Sequence, residues 1–365
     1  GPYLNGIWTD ALDYGGDFHD TGSMASSFQE QLPAVARGAG LPMSVEPGGP
    51  ARTALDFKTH FGFWITEGVN AIDYFMLIGD VEWNPEIKKC MEDNVSIFTS
   101  IGKYHAPTAK VAALYSTRNE AILDFPWTDG QGYGGYNPDH LGSGCYRWNV
   151  RAVLRGLYES DALTESALES NRAANYPVII DTNTSILDAK PLAAIEAYVR
   201  NGGTFVTFVQ TGRHTSIEKD VWPIERLTGY HVTRLSQAQP WQTNMLTWAR
   251  NQPVFSGDWM NQVKADGLSL QKVASDVQDL AYWKDGSVAI GMRPLGKGRI
   301  IEVGCRFTSW GLPDRIDRDM AQYLRNRYGR APEYGLSNDD SQPLDTPELL
   351  ATQKLFAQML QWRAI

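Results

Sequence analysis

Residues 41–50, LPMSVEPGGP, constrain this chain more than any other stretch. A short apolar run ends in a carboxylate, Glu46, and then breaks into Pro47, Gly48 and Gly49. A buried parallel strand presents an acid at its C-terminal mouth in this way, and in a (β/α)8 barrel the catalytic side chains sit at that end of the strands. Upstream, residues 26–40 (SSFQEQLPAVARGAG) read as a helix stopped where Ala39 meets Gly40. Downstream, residues 51–70 read as a second helix and AIDYFMLIGD (71–80) as another apolar strand ending in an acid, Asp80. The resulting order is helix, strand with Glu46, helix, strand with Asp80, which is the rhythm of closing βα units.

Composition narrows what such units can serve. At 365 residues the chain is long enough for two domains, and 42% hydrophobic with 21% charged residues is ordinary for a globular protein. A net charge of −9 argues against nucleic acid and against an anionic membrane surface as partners. No apolar run approaches the roughly 20 residues that span a bilayer. Cys90, Cys145 and Cys305 are odd in number and far apart, and the six histidines form no HxH or HxxxH pair. No metal and no cofactor is therefore expected. The 12 Trp and 16 Tyr suit a surface that stacks on sugar rings, although large α/β cores also use aromatics. The opening Gly1-Pro2 reads as a protease remnant.

A boundary is expected near residues 105–109, where Pro107 separates a helix end from a new apolar strand, KVAALYS (110–116). Residues 129–145 are rich in Gly, Tyr and Asp and read as a long surface loop. YRWNVRAVLRGLYESDA (146–162) reads as an amphipathic helix with Val150, Val153, Leu154, Leu157 and Tyr158 on one stripe. PVIIDTN (177–183) and TFVTFVQTG (204–212) read as buried parallel strands around a helix stopped by Gly202-Gly203. Three shorter strands follow over 276–307, with turns at Lys284-Asp285-Gly286 and Gly296-Lys297-Gly298. A last helix (348–362) should turn Leu350, Leu355, Phe356 and Leu360 inward. The class is α/β with mostly parallel sheets, and no GxGxxG or GxxxxGK[ST] follows a strand.

From about residue 107 onward the chain resembles the glutamine-amidotransferase-like trimerisation domain of family 42 β-galactosidases. The residues that carry the resemblance are AKVAALYS, WNVRAVLRGLYESDAL, NYPVIIDTNTSILD, AAIEAYVRNGGTFVTF, RNQPVFSG and DGSVAIGMRPLGKGRIIEVG. The resemblance implies two domains. Residues 1–105 would be the C-terminal part of a (β/α)8 glycosidase barrel, and residues 107–365 a flavodoxin-like, class I amidotransferase-like domain. It also implies a carbohydrate substrate and a homo-oligomer, namely a trimer. The family's nucleophile ends the seventh barrel strand in a segment similar to SVEPGGP, which places that role on Glu46.

Glu67, after FGFWI, is a rival for the same role, but its segment also carries a helical stripe of Leu55, Phe61, Trp64 and Ile65. IWTDALDY (7–14) would be the sixth strand, with Trp8, Asp10 and Asp13 at its mouth. Asp80 and Trp83, after the eighth strand, would line the same mouth. Glu82 there reads as an ordinary solvated acid. Asp10, Asp13, Asp17 and Asp20, close in sequence, could supply a carboxylate but read more readily as a solvated loop or a sugar-hydroxyl site than as a proton donor. The family's acid/base glutamate ends the fourth strand, and no counterpart is visible upstream of Glu46. The chain is then either a piece of a larger retaining β-galactosidase-like enzyme, the favoured expectation, or a permuted or degenerate relative. Two other readings stay open. One is a non-catalytic oligomerisation or carbohydrate-binding module. The other is an amidotransferase- or peptidase-like hydrolase, disfavoured because TFVTFVQTG ends in Gln210-Thr211-Gly212 with no elbow cysteine.

Overall fold

In the computed structural model the described residues are 7–11, 31–47, 54, 57–58, 62, 64–65, 67–72, 84–98, 109–116, 118–119, 160–181, 184–208, 211–234, 244–306 and 347–361. They belong to two compact units. One comprises Gly1–Thr108 with Ile316–Ser341, the other Ala109–Arg315 with Gln342–Ile365.

In the first unit, β1 (Ile7–Ala11), α1 (Gln31–Ala39), β2 (Met43–Pro47) and β3 (Ala71–Ile72) follow in chain order. The strands form a parallel sheet in the order β1-β2-β3. Parallel neighbours need a crossover, and α1 supplies the one described between β1 and β2. Its buried Ala34, Val35 and Ala36 give it an apolar side. It ends as the sequence predicts. Gly40 takes φ +66, its N–H donates to Arg37 O (3.0 Å), and the N–H of Leu41 donates to Ala36 O (2.9 Å). This is a Schellman stop, which glycine makes at no steric cost.

The second crossover repeats the device. Residues 54, 57, 58, 62, 64 and 65 are helical, with Phe57 and Trp64 fully buried. Gly68 at φ +79 then ends the segment through Gly68 N–H to Ile65 O and Val69 N–H to Trp64 O. FGFWI is thus helix at its described residues, as its stripe requires. After β3 come α2 (Pro85–Asp93) and α3 (Val95–Phe98). The Asn84 side chain caps α2 by accepting from the N–H groups of Glu86 and Ile87, with Pro85 at the first helical position.

The second unit runs β4 (Val111–Leu114), β5 (Ser160–Leu163), α4 (Glu165–Glu169), β6 (Val178–Asp181), α5 (Ala189–Arg200) and β7 (Thr204–Phe208). It continues through α6 (Glu225–Thr228), β8 (Tyr230–Arg234), β9 (Asn244–Met245), β10 (Thr247–Trp248) and β11 (Lys264–Lys272). β12 (Gln278–Tyr282), β13 (Val288–Leu295), β14 (Gly298–Val303), β15 (Cys305–Arg306) and α7 (Pro347–Gln361) complete it. Its sheet has the order β10-β12-β13-β14-β7-β6-β4-β5, with β11 joining β13 to β8, β9 and β15.

The stretch β14-β7-β6-β4-β5 is parallel. Helices and loops cover both of its faces, so its strands are apolar at consecutive positions. Val178, Ile180, Val206 and Phe208 enter one core with Leu355, Phe356 and Met359 of α7. Ile179 and Phe205 enter the other with Leu192, Ile195 and Val199 of α5. The rings of Phe208 and Phe356 stack at 5.7 Å.

Three expectations are corrected. The helix expected over 146–162 does not reach its end, because Ser160–Leu163 is a fully buried edge strand parallel to β4. SDAL is too short for its β pattern to stand out from the helical period before it. Leu350 does not point inward with its three companions but is 43% exposed. The sheet is not mostly parallel, since β8 to β13 and β15 all pair antiparallel. That half is built on tight turns such as Leu295 to Gly298, which favour antiparallel neighbours.

Candidate functional site

Glu46 and Asp10 occupy the same register on neighbouring parallel strands, each one residue before its strand's C-terminal end. Neighbouring strands lie about 4.8 Å apart, so the two backbones carry their acids side by side. Trp8 pairs with Ser44 two residues earlier, and Ser44 pairs with Ala71 of β3. By strand alternation Trp8, Asp10, Ser44, Glu46 and Ala71 share one face. Ile7, Thr9, Met43, Val45 and Ile72 share the other. Met43 on the apolar face is 3% exposed, whereas Ser44 is half-buried and Ala71 exposed. Of the side chains described there, Met43 on one face is buried and Ser44 and Ala71 on the other are more open.

Glu67 has a different place. It sits in the turn that ends the second crossover helix and is buried, with the Arg37 guanidinium donating to its carboxylate and its backbone oxygen (2.7 Å each). An acid tied to a neighbouring helix in this way holds a helix end rather than a reacting centre. Asp13, Asp17, Asp20, Asp80, Glu82 and Trp83 lie outside the described residues, as do Cys145 and the 129–145 loop. Among the described residues no group of three or more His, Cys, Asp or Glu could hold a metal ion, and no helix is long and apolar enough to cross a membrane.

In the second unit, β5-β4-β6-β7-β14 is the 2-1-3-4-5 order of a doubly wound sheet. The ligand crevice of such sheets opens beyond the C-terminal ends of the two strands where the winding reverses, here β4 and β6. The described side chains beyond those strand ends bond one another. Asn119 donates to Ser116 Oγ (2.7 Å) and Ile186 O (3.0 Å). Its Oδ1 accepts from Ile186 N–H (2.9 Å) and Ser185 Oγ (3.0 Å). Ser116 in turn donates to Glu165. Asp181, at the end of β6, accepts from Thr184 N–H and from the Thr211 hydroxyl.

His214 is equally engaged, its Nδ1 accepting from Asp220 N–H (2.8 Å). Burial first, then the Arg213 charge, pulls its pKa below the usual histidine value. Thr211 and His214 thus serve separate partners and form no nucleophile–base pair. Among the described residues no cysteine stands at a strand-to-helix elbow, since Cys90 lies in α2 and Cys305 in β15.

The sequence reading missed this polar cluster because its members are single Ser, Asn and Thr residues spread over four loops. Only the placement of Asn119 one loop after β4 hints at it. Asn119→Ala strands the Ile186 peptide groups in a dry site, and each orphaned group costs about 1–3 kcal/mol. For the two groups the expected loss is about 2–6 kcal/mol of stability, read as a lower denaturant midpoint at unchanged slope.

Fold and site together define an α/β protein. It carries carboxylates at the C-terminal ends of parallel strands, and in its doubly wound unit described polar side chains beyond β4 and β6 bond one another. The family model that describes the β-galactosidase trimerisation domain matches residues 109–324, and the chain belongs to that family. No curated protein matches it.

Solved structures share the fold at low identity. A catalytic mutant of a family 42 β-galactosidase from G. stearothermophilus superposes with a TM-score of 0.61 at 15% identity, over 91% of this chain and 50% of that one. The cold-adapted β-galactosidase from Rahnella sp. R3 gives 0.62 at 14%, over 90% and 52%. An exo-β-1,4-mannosidase from an Opitutaceae bacterium gives 0.54 at 12%, over 89% and 59%. The chain spans about half the length of the two β-galactosidases.

Proposed function

We propose that this chain serves a retaining, exo-acting β-galactosidase-like glycoside hydrolase in which Glu46 is the nucleophile. The observation that carries the reading is the register of Asp10 with Glu46 at the C-terminal ends of two parallel strands. Residues 1–105 are read as the C-terminal part of a (β/α)8 barrel, whose mouth lies at that end of the strands. Trp8, Asp10, Asp13, Asp80 and Trp83 would hold the sugar, the tryptophans by stacking on its apolar face and the acids by accepting from its hydroxyls. Residues 107–365 are read as a non-catalytic, amidotransferase-like assembly domain that brings copies together as a trimer. The mutual hydrogen bonding of Asn119, Ser116 and Ile186 beyond β4 and β6 supports its non-catalytic part.

In this reaction the Glu46 carboxylate attacks the anomeric carbon while a second carboxyl gives its proton to the departing glycosidic oxygen. The glycosyl ester is then opened by water, which loses a proton to that same second carboxylate and restores Glu46. The anomeric configuration is inverted twice and so retained. The mannosidase among the fold's neighbours leaves the sugar to be tested rather than read from the fold.

The test is hydrolysis of a panel of aryl β-glycosides by the native protein that carries this chain, with the first-formed anomer read by proton NMR. β-Galactose from an aryl β-galactoside is the expected product. The α-anomer as first product, or no glycoside cleaved, would overturn the reading.

A further inference from the structure

We propose that residues 213–222 form the knob through which this chain binds a second copy of itself, with Ile217 at its centre. This contact deepens the reading of residues 107–365 as an assembly domain and rests on it. Ile217 is 89% exposed, the most of any large apolar side chain among the described residues, and Val221 is 45% exposed. A single exposed isoleucine on a slack loop calls for no explanation. This one stands on a loop that is bonded at its base, its neck and its tip.

At the base, Gly212 N–H donates to Thr184 O (2.8 Å), His214 N–H to Ser185 O (2.8 Å) and Leu187 N–H to His214 O (3.0 Å). At the neck, Trp222 N–H donates to Arg213 O (3.0 Å), the Arg213 guanidinium pairs with the Asp220 carboxylate, and Asp220 N–H donates to His214 Nδ1 (2.8 Å). At the tip, Thr215 N–H donates to Glu218 O (2.9 Å) while the Thr215 hydroxyl accepts from Glu218 N–H (2.9 Å). Ser216 ties the tip to the start of α5. Its N–H and its hydroxyl both donate to Asp188 (2.8 and 2.9 Å), which also pairs with Arg118. Asp220 and Trp222 are held at φ +56 and +46, a region uncommon for a residue as bulky as tryptophan. Such conformations persist where the surroundings over-determine them, and they gather at binding sites. The loop is therefore preorganised, and a contact made through it gives up little conformational freedom.

Charge selects the occupant. The chain has a net charge of −9, so two copies repel unless they meet where charge cancels. The loop is such a place, since Arg213 and Lys219 balance Glu218 and Asp220. Glu218, Lys219 and Asp220 are exposed beside Ile217. An apolar centre with a charged rim is the anatomy of an association patch. In a ring of three, unlike patches meet, so Ile217 of each copy enters a site elsewhere on the next. One substitution then removes three contacts at once.

The experiment is native mass spectrometry and sedimentation of the native protein that carries this chain, as wild type and as Ile217→Glu, over a range of concentrations. The wild type should be a trimer. Ile217→Glu should half-dissociate at a concentration roughly 30-fold higher or more, with the far-ultraviolet circular dichroism of wild type. A photo-cross-linker gives a second readout that leaves the loop apolar. With benzoylphenylalanine in place of Ile217 and two differently tagged versions made in one cell, illumination should join one tag to the other. Two results would overturn the loop contact and leave the assembly reading standing. One is an Ile217→Glu trimer as persistent on dilution as the wild type. The other is cross-linking confined to single chains, which would put another part of the same chain over Ile217. A monomeric wild type would remove the contact and the assembly reading together.

Discussion

Glu46→Gln in the native protein is expected to lower kcat/KM for an aryl β-galactoside by roughly 10³-fold or more, with KM changed far less. Glutamine keeps the volume and one hydrogen-bonding oxygen of glutamate but has no charge to share with an oxocarbenium-like carbon. The glycosyl ester therefore cannot form. Because the loss lies in the transition state, it should appear in kcat and kcat/KM alike. Glu46→Ala with azide added gives a second readout. The space left by the truncated side chain admits the anion, which attacks the anomeric carbon as the leaving oxygen is protonated. The product is a glycosyl azide of inverted configuration. A Glu46→Gln enzyme within tenfold of wild type, or an azide adduct of retained configuration, would remove Glu46 from the nucleophile's place.

What led to Glu46 in the sequence is also what makes its surroundings hard to read. A strand of five residues bounded by Pro and Gly is visible from composition, and β2 lies where LPMSVEPGGP predicts. Glycine stops are equally legible, because positive φ is a local demand; Gly40 and Gly68 both answer it. The FGFWI segment, which could be taken for a strand, is settled by its period. Trp64 and Phe57 fall on one helical stripe, and Glu67 then ends a helix and meets Arg37. The register of Asp10 with Glu46 is another matter. It depends on the pairing of strands more than thirty residues apart, which no local pattern records. The polar cluster beyond β4 and β6 escaped for the same reason. Asn119, Ser185 and Ile186 meet across 66 or 67 residues, and each alone is an unremarkable loop residue. The buried edge strand Ser160–Leu163 owes its conformation to β4 beside it rather than to its own four residues.

Glu302 is expected to make the second unit less stable as pH rises from about 4.5 to about 7, and Glu302→Gln to remove that loss. Its carboxyl lies in β14, in register with Thr207 of β7 and Gly291 of β13, and is 1% exposed. Thr207 donates to it (2.8 Å) and Thr228 hydrogen-bonds it from beside α6, while the groups that face it are acidic: Glu225 and Asp181, with the Tyr230 phenol nearby. Burial above all, then the neighbouring carboxylates against two hydroxyl hydrogen bonds, pushes its pKa up to about 7.

The sign follows from linkage. Below the ordinary glutamate value both folded and unfolded chains hold the proton, and there is no penalty. Between that value and about 7 only the folded chain holds it, so each pH unit costs about 1.4 kcal/mol. Above about 7 the penalty levels off near 3 kcal/mol, on the order of 100-fold in the folding equilibrium. Glutamine keeps a hydrogen-bond partner for Thr207 and carries no charge to bury. Denaturant midpoints of wild type and Glu302→Gln should therefore converge below about pH 4.5, separate as pH rises to about 7 and run parallel above it, with the variant the more stable. The difference between the two curves isolates Glu302 from every other titrating group. Parallel curves between about pH 4.5 and 7 would mean that the carboxylate finds solvation or a cation that the cluster of Thr207, Thr228, Asp181 and Glu225 does not provide.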